Sequence, residues 1–299
     1  MIDLCTIVGA TASGKSEVAM RVARAVGGEI VGADSRQIYR GMRVGTAAPD
    51  EAAQREIRHH CIEFLDPEDR YSAAQYARDA MAAILDIRAR GRLPIVVGGT
   101  GFYLRVLRGG VALGERGDDD LRARIARETR VHPPEVLHEW LALRDPQRAA
   151  AIERSDLYRI GRALEIALAP PRAAAAEIPT LLSHGLTFRT FALALPLPEI
   201  DRRIELRARA MLEGGLLDEA EALGARAVAA DAVGYPQALA YLRGQSTFGE
   251  TLVALTRATR RYARRQIAWF RSEPNLEWLA ADDLVRAAEE ALTVAPTPP

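Results

Sequence analysis

The sequence predicts an α/β fold, a parallel sheet flanked by helices, with a helical insertion in the middle of the chain. Three short apolar segments, Leu4–Val8, Glu29–Ala33 and Pro94–Val97, have the length and composition of buried strands. Helical spacing follows the first of them over Glu17–Val26, and a Ser-x-x-Gln pattern begins a helix that spans residues 72–90. Apolar strands that alternate with helices are typical of a parallel, doubly wound sheet.

A glycine-rich loop follows the first strand. It matches the pattern G-x-x-x-x-G-K-[ST], between the strand and the helix that this pattern requires. The sheet is therefore predicted to be P-loop NTPase-like. Successive main-chain N–H groups in such a loop form an anion site at a helix N-terminus, which suits two linked phosphates. The predicted diphosphate-binding residues are Gly9, Ala10, Thr11, Ala12, Ser13, Gly14, Lys15 and Ser16.

Lys15 is the only lysine among forty basic residues. A compact ammonium on a flexible stem approaches phosphate oxygens differently from a planar guanidinium, which explains why arginine does not replace it here. The hydroxyl of Ser16 is predicted to bind Mg²⁺, the expected cofactor, because this ion combines few protein ligands with phosphate oxygens.

Two further strand ends carry candidate residues, and the carboxyl ends of parallel strands meet at one edge of a sheet. Asp34 ends the second strand and is a candidate general base or hydrogen-bond acceptor, although an aspartate here can equally belong to a turn or cap a helix. The third strand ends in Gly98-Gly-Thr-Gly101, where Thr100 offers a hydroxyl to a ligand. A tight turn into a helix is the alternative explanation for these glycines.

The expected organisation has four parts. Residues 1–113 and 190–294 form the first and second parts of the P-loop core, residues 114–189 form a helical insertion, and residues 295–299 form a frayed tail. Strand patterns disappear in the insertion and arginine-rich helical patterns replace them. In the second part of the core we expect a strand at Phe191–Leu197 and helices at Glu199–Glu213, Leu216–Ala229 and Thr247–Ser272.

Composition bounds the class of protein. Forty basic residues balance forty acidic ones, so affinity for nucleic acid must come from local patches, and the neutral total favours a monomer. Cys5 and Cys61 lack the spacing of a metal or redox motif. No apolar stretch reaches the length of a membrane span, and the first residues show no signal-peptide pattern. We therefore expect a cytoplasmic protein that does not bind membranes.

A basic helix is predicted near the C-terminal end. Arginines recur at helical spacing over Arg257–Arg265, and no acidic residue occurs from Thr251 to Arg271. A solvated helix face usually mixes charges, so this pattern favours contact with an RNA backbone over a surface helix without function. On an earlier helix, Arg203 and Arg207 form an i, i+4 pair that either reaches phosphates at the loop or is solvated.

Five blocks of sequence occur together in this order: Gly9–Ser16, Asp34–Pro49, Gly98–Tyr103, Val233–Tyr235 and Arg264–Arg271. Together they resemble the bacterial tRNA dimethylallyltransferase family, and the resemblance extends over almost the whole chain. The resemblance implies transfer of the dimethylallyl group from dimethylallyl diphosphate to N6 of adenosine-37 in tRNA, with release of diphosphate. The loop would then hold a prenyl diphosphate, without phosphoryl transfer.

The resemblance also implies roles for individual residues. Asp34 would act as general base toward the adenosine amine, while Thr100 and Arg207 would stabilise the departing diphosphate together with Lys15. The target base must leave its stack to reach them. The residues implied to contact the anticodon stem-loop of tRNA are Asp34, Ser35, Arg36, Gln37, Arg122, Tyr158, Arg159, Arg162, Gly234, Tyr235, Arg264 and Arg265.

Three positions depart from the family pattern. Arg36, Ala48 and Pro236 stand where a small or apolar residue, a lysine and an arginine are common. Two other functions fit the same phosphate loop: a small-molecule kinase, and a nucleotide-dependent RNA-binding protein that leaves its RNA unmodified. The basic helix and the arginines of the insertion have no evident role with a small acceptor, so the transferase is the favoured prediction.

Overall fold

The computed structural model describes residues 2–109, 111, 119–169, 177–225 and 227–293. The chain forms two compact units, one of Met1–Gly110 with Ile178–Pro299 and the other of Val111–Glu177. The sequence predicted that the insertion ends at residue 189, where the second part of the core begins. The structure places it earlier because Leu181 and Leu186 pack in the core of the first unit. The predicted frayed tail lies outside the described residues.

Parallel strands form a six-stranded sheet in the first unit, in the order β3-β2-β4-β1-β5-β6, which confirms the predicted fold class. Their bounds are β1 Leu4–Val8, β2 Glu29–Gly32, β3 His59–His60, β4 Pro94–Gly98, β5 Phe188–Leu193 and β6 Leu276–Leu279. β1 lies at the centre, where Thr6 is opposite Val96 on one side and Thr190 on the other. The predicted strand Phe191–Leu197 is shifted to β5, because Pro196 caps the helix that begins at Leu197.

The helices of the described residues follow in chain order. They are α1 Lys15–Val26, α2 Arg43–Thr46, α3 Glu51–Glu56, α4 Ala73–Ala89, α5 Gly101–Arg108, α6 Asp119–Val131, α7 Pro134–Arg144, α8 Pro146–Ala150, α9 Leu157–Leu168, α10 Leu197–Glu213, α11 Leu216–Leu223, α12 Tyr235–Leu242, α13 Phe248–Ser272 and α14 Ala281–Thr293. The capping box of Ser72 and Gln75 begins α4 as predicted. The predicted helix Leu216–Ala229 is wrong in its second half, because α11 ends before Gly224, whose φ is 69°.

Helices cover both faces of the sheet. Val18 and Val22 of α1 pack with Leu284 and Leu292 of α14 on one face. On the other face, Tyr76 and Ile84 of α4 pack with Leu107 of α5 against Val96 of β4. Because both faces are buried, the strand ends are the part of the sheet left for a ligand.

The second unit has a core of its own. Ile125 of α6, Leu137 and Leu141 of α7 and Ile160 and Leu164 of α9 are all buried together. The described part of this unit is helical, as the sequence predicted for the insertion. Over the described residues of both units, no helix is long and apolar enough to cross a membrane.

Candidate functional site

The phosphate loop, residues 9–16, connects β1 to α1. Ala12 and Gly14 have φ values of 64° and 99°, in the left-handed region that reverses the chain before the helix. A Cβ at Gly9 would lie 2.8 Å from Ser13 Oγ, so the loop is closed too tightly for a larger residue there. No side chain of the described residues caps the N-terminus of α1. Its N–H groups are therefore available to an anion.

Two arginines of α10 lie over this loop. Arg203 Nη1 donates to Ser13 O at 3.2 Å, and Arg207 Nη1 lies 3.5 Å from Thr11 Oγ1. Glu199, one turn before Arg203 on the same helix, accepts from Arg203 Nε at 2.7 Å and fixes its direction. The sequence left a solvated pair open as an alternative, whereas the structure places both guanidinium groups at the loop.

Lys15 is partly buried between charges of both signs. Burial lowers the pKa of Lys15, the Asp34 carboxylate opposes this effect, and Arg207 adds to it. The pKa of Arg207 is itself lowered by burial and by Arg203. A bound polyanion would reduce the repulsion among these cations. It would also replace the stabilisation by water that burial removes from them. The loop is therefore suited electrostatically to a diphosphate.

Asp34 follows β2 and begins a turn. Its Oδ1 accepts a hydrogen bond from the Arg36 N–H at 2.9 Å, the aspartate turn that the sequence left open as an alternative. The Arg36 side chain, one of the departures from the family pattern, forms an ion pair of 2.9 Å with Asp231. The turn and the ion pair fix the backbone that presents the Asp34 carboxylate near Lys15.

Thr100 joins the ends of β2 and β4. Its main-chain N–H donates to Ala33 O at 3.1 Å, and its Oγ1 accepts from the Ser35 N–H at 3.0 Å. A Cβ at Gly98 would lie less than 3.0 Å from Ala33 O, so glycine is required there by the neighbouring chain. The predicted catalytic hydroxyl of Thr100 thus lies beside Asp34, already bonded to the same turn.

A cavity of about 150 Å³ lies beside Lys15 and Ser16. Its apolar walls include Met20 of α1, Ile30 of β2 and Val97 of β4, with Ile62, Gln37 and His59 also lining it. His59 Nδ1 lies 2.7 Å from Ile57 O, and burial lowers the pKa of His59, which favours the neutral ring. The sequence did not predict this cavity because its walls come from segments far apart in the chain.

The predicted tRNA-contacting residues of the first unit differ in exposure. Gln37 Nε2 donates to Thr46 O at 3.1 Å and to Ala47 O at 3.0 Å, so it supports the backbone after α2. Tyr235, next to Gly234, is fully buried, and its hydroxyl donates to Glu219 at 3.0 Å. The predicted contact of Tyr235 with tRNA therefore does not come from an exposed side chain in this structure.

The basic helix is α13, and neighbouring acids neutralise part of it. Arg264 Nη2 lies 3.0 Å from Asp201 Oδ2 of α10, and Arg260 lies 3.3 Å from Glu205. Arg261 and Arg265 are exposed, as is Arg257. The absence of acidic residues from Thr251 to Arg271 did not reveal these partners, since they belong to another helix.

Four predicted residues lie in the second unit. Tyr158 is 84% exposed at the start of α9. Arg159, next to it, lies 3.3 Å from Asp156, the residue that caps α9. Arg122 and Arg162 both form ion pairs with Glu165. These ion pairs fix the three arginines to acids of the same unit, while the Tyr158 side chain is exposed.

The chain matches the family model for IPP transferase over residues 37–273. This chain belongs to the IPP transferase family. It is therefore a transferase, and the resemblance predicted from the sequence blocks is confirmed.

Relatives of this IPP transferase cover nearly its full length. The tRNA dimethylallyltransferase of Anaeromyxobacter sp. (strain Fw109-5) is 44% identical, with 97% of this chain and 99% of the relative covered. That of Halorhodospira halophila is 43% identical, with 95% and 94% covered.

Solved structures show the same fold. The tRNA isopentenylpyrophosphate transferase of Bacillus halodurans has a TM-score of 0.70 and 33% identity, with 97% of this chain and 95% of that chain covered. A eukaryotic dimethylallyltransferase acting on tRNA has a TM-score of 0.74 and 25% identity, with 98% and 77% covered.

Two residues at the site of this IPP transferase were not singled out from the sequence. Glu219 of α11 accepts from the Val44 N–H at 2.6 Å and the Gly45 N–H at 2.9 Å, so it holds α2 in place. A Cβ at Gly45 would lie 2.6 Å from the Tyr235 ring, which explains the glycine. Gln266 of α13 contacts two loops of the site. Gln266 lies within the Arg264–Arg271 block of the family resemblance, but neither Gln266 nor Glu219 belongs to a local pattern that assigns it a role at the site.

Proposed function

We propose that the chain transfers the dimethylallyl group of dimethylallyl diphosphate to N6 of adenosine-37 in tRNA and releases diphosphate. The observation that carries the proposal is the placement of Lys15, Arg203 and Arg207 around the phosphate loop, with Asp34 near Lys15. This arrangement joins an anion site to a carboxylate at one edge of the sheet. Family membership supports prenyl transfer as the reaction.

A tRNA acceptor is supported by the names of the relatives. The curated relatives are tRNA dimethylallyltransferases, and one structural neighbour is a dimethylallyltransferase acting on tRNA. The exposed arginines of α13 provide a surface that attracts a phosphate backbone. We propose Arg264, Arg265, Ser35, Arg36 and the backbone around Gly234 as contacts in the first unit. In the second unit we propose Arg122, Tyr158, Arg159 and Arg162.

The donor site is proposed to work by stabilising the leaving group. As the bond between the allylic carbon and the diphosphate oxygen breaks, negative charge develops on that oxygen. Lys15, Arg207, which lies 3.5 Å from Thr11 Oγ1, and the N–H groups at the uncapped start of α1 would stabilise this charge. The cavity beside Lys15 and Ser16 offers apolar walls to the five-carbon chain.

Magnesium is proposed as the cofactor on the basis of the donor set. The described residues contain no group of three or more His, Cys, Asp or Glu that could hold a metal ion. An ion that keeps few protein ligands and binds mainly diphosphate oxygens fits such a site, and Ser16 would hold it through its hydroxyl. Bound there, Mg²⁺ would neutralise charge on the diphosphate.

The acceptor side is proposed to depend on Asp34. A new bond forms between the allylic carbon and N6, and one proton of the amine must leave. The Asp34 carboxylate accepts it, while its turn with Arg36 keeps the side chain in place. Thr100, bonded to Ser35, fixes the same turn from the end of β4.

The monomeric state and the cytoplasmic location stay predictions from the sequence.

A direct test is to incubate the purified protein with unmodified tRNA, Mg²⁺, ATP and dimethylallyl diphosphate. Mass spectrometry of the digested nucleosides should show N6-dimethylallyladenosine, and a tRNA with guanosine at position 37 should remain unmodified. RNA binding without modification would instead favour the nucleotide-dependent RNA-binding alternative. Consumption of ATP with no prenylated nucleoside would favour a kinase.

A further inference from the structure

Gln266 lies between the phosphate loop and the glycine loop, residues 98–101. Its side chain is 5% exposed on α13. Oε1 accepts a hydrogen bond from the Thr11 N–H at 2.8 Å, and Nε2 donates to Gly99 O at 2.9 Å. One amide therefore connects the loop after β1 to the loop after β4.

The glycine loop is shaped to receive this amide. A Cβ at Gly99 would lie less than 3.0 Å from Gln266 Nε2, and one at Gly101 less than 3.0 Å from Trp269 Nε1. Gln266 and Trp269 are three residues apart and so lie on the same side of α13. Apart from the Gln266 side chain, the atom nearest to a Cβ at Gly99 is Gly9 O at 3.5 Å, an ordinary contact. Glycine at position 99 thus makes room for one side chain.

Thr11 is held from two sides. Gln266 binds its main-chain N–H, and Arg207 of α10 lies 3.5 Å from its hydroxyl. Loss of the amide would leave a partly buried N–H without its acceptor. It would also free the glycine loop, which carries Thr100 and, through Thr100, the Ser35 end of the Asp34 turn.

We propose that Gln266 is a positioning residue for the transfer reaction. It fixes the phosphate loop relative to the turn of Asp34 and so sets the distance between the leaving diphosphate and the base. Small displacements of reacting groups are costly, on the order of 10²-fold in rate for about 1 Å. The inference rests on the proposed function, because it assigns the two loops to the two reaction partners.

The test is a double-mutant cycle on Gly99 and Gln266. The variants are Gly99→Ala, Gln266→Ala and the double variant, with Gly249→Ala of the same helix as the control, since nothing lies within 4 Å of a Cβ there. Three quantities are measured: the Kd for inorganic diphosphate with Mg²⁺, the single-turnover rate of prenyl transfer to tRNA, and the Kd for tRNA. Melting temperatures report on stability.

Each single substitution should raise the Kd for diphosphate and lower the single-turnover rate by about tenfold or more, with the Kd for tRNA unchanged. The double variant should lose much less than the product of the two single losses, because the methyl group added by Gly99→Ala then meets no amide. Effects that multiply independently would overturn the proposal, as would a loss no greater than that of Gly249→Ala.

The binding measurement separates this proposal from the proposed function. If the wild-type protein binds diphosphate but produces no prenylated adenosine, prenyl transfer is contradicted. The double-mutant cycle measured by diphosphate affinity still tests the link between the loops. If all variants bind diphosphate with equal affinity, the role of Gln266 is refuted whatever the transfer assay shows.

Discussion

The phosphate loop and the glycine loop lie at neighbouring strand ends and are both rich in glycine, yet their backbones differ. In the phosphate loop, Gly14 has a φ of 99° and precedes a helix whose first N–H groups are uncapped by described side chains. In the glycine loop, which lies entirely in the described part of the chain, no glycine has a positive φ. Its glycines make room for Ala33 O, Gln266 and Trp269 instead.

The difference teaches which glycines a sequence reveals. A glycine needed for an anion site belongs to a fixed local pattern, and the phosphate loop was predicted from that pattern alone. A glycine needed for packing depends on a partner elsewhere, and the partners of Gly99 and Gly101 lie more than 150 residues away. Four experiments compare the residues of the two loops and of the turn between them with a residue at the opposite end of the strands. They follow in decreasing order of the effect that we expect.

Asp34→Asn tests the carboxylate between the two loops. The amide can still accept from the Arg36 N–H, so the turn should persist. We expect the single-turnover rate of transfer to fall by about 10²–10⁴-fold, the contribution of a general base, with the Kd for tRNA nearly unchanged. Rapid-quench kinetics with saturating donor would measure this. An unchanged rate would remove Asp34 from the chemistry.

Lys15→Arg tests the cation of the phosphate loop. The charge is kept, but the forked guanidinium cannot enter the space that the ammonium occupies beside Arg207. We expect the Kd for dimethylallyl diphosphate to rise by about 10–100-fold, measured by calorimetry. The reverse exchange Arg21→Lys, at a surface pair with Asp282, should have no such effect. Donor binding equal to that of the wild type would contradict the role assigned to Lys15.

Gly14→Ala and Gly101→Ala compare the two loops directly. Alanine at Gly14 is strained by about 1–2 kcal/mol because of the positive φ, so donor affinity should fall with it. Alanine at Gly101 meets Trp269 and should lower the free energy of unfolding by about 1–3 kcal/mol. Urea unfolding and diphosphate binding, with Gly249→Ala as control, separate the effects. If both substitutions weakened diphosphate binding equally, the different roles assigned to the two loops would be contradicted.

Glu29 provides a reference at the opposite edge of the sheet. Its carboxylate is 4% exposed, and hydrogen bonds from Arg90 and His60 lower its pKa to about 2. A carboxyl whose pKa is lower in the folded than in the unfolded protein stabilises the fold at every pH above its pKa in the unfolded protein. This stabilisation is lost as the pH falls toward its pKa in the folded protein. We expect about 3 kcal/mol of stability to disappear between about pH 4.5 and 2. Glu29→Gln should remove this dependence in urea unfolding.

At neutral pH the Glu29 variant should leave transfer per folded molecule unchanged, since Glu29 begins β2 and Asp34 follows its other end. A changed rate in fully folded protein would mean that the two edges of the sheet are coupled.

The sequence predicted the central strands and failed at the periphery for physical reasons. β1, β2 and β4 are buried on both faces, so their residues are mostly apolar, with Thr6 and the ion-paired Glu29 as the exceptions. β3 has two residues and β6 is half exposed, which leaves no pattern to recognise. The same holds at the site: Lys15 stood out as a single lysine, whereas Gln266 and Glu219 become meaningful only when their helices pack.

The central proposal is that the phosphate loop holds the diphosphate that leaves during the reaction. The most direct measurement supplies wild-type protein with unmodified tRNA, Mg²⁺, dimethylallyl diphosphate and ATP together, and quantifies every product. We expect one diphosphate released per prenylated adenosine, with ATP unchanged. Formation of ADP together with a phosphorylated product, and no prenylated adenosine, would contradict this role of the loop.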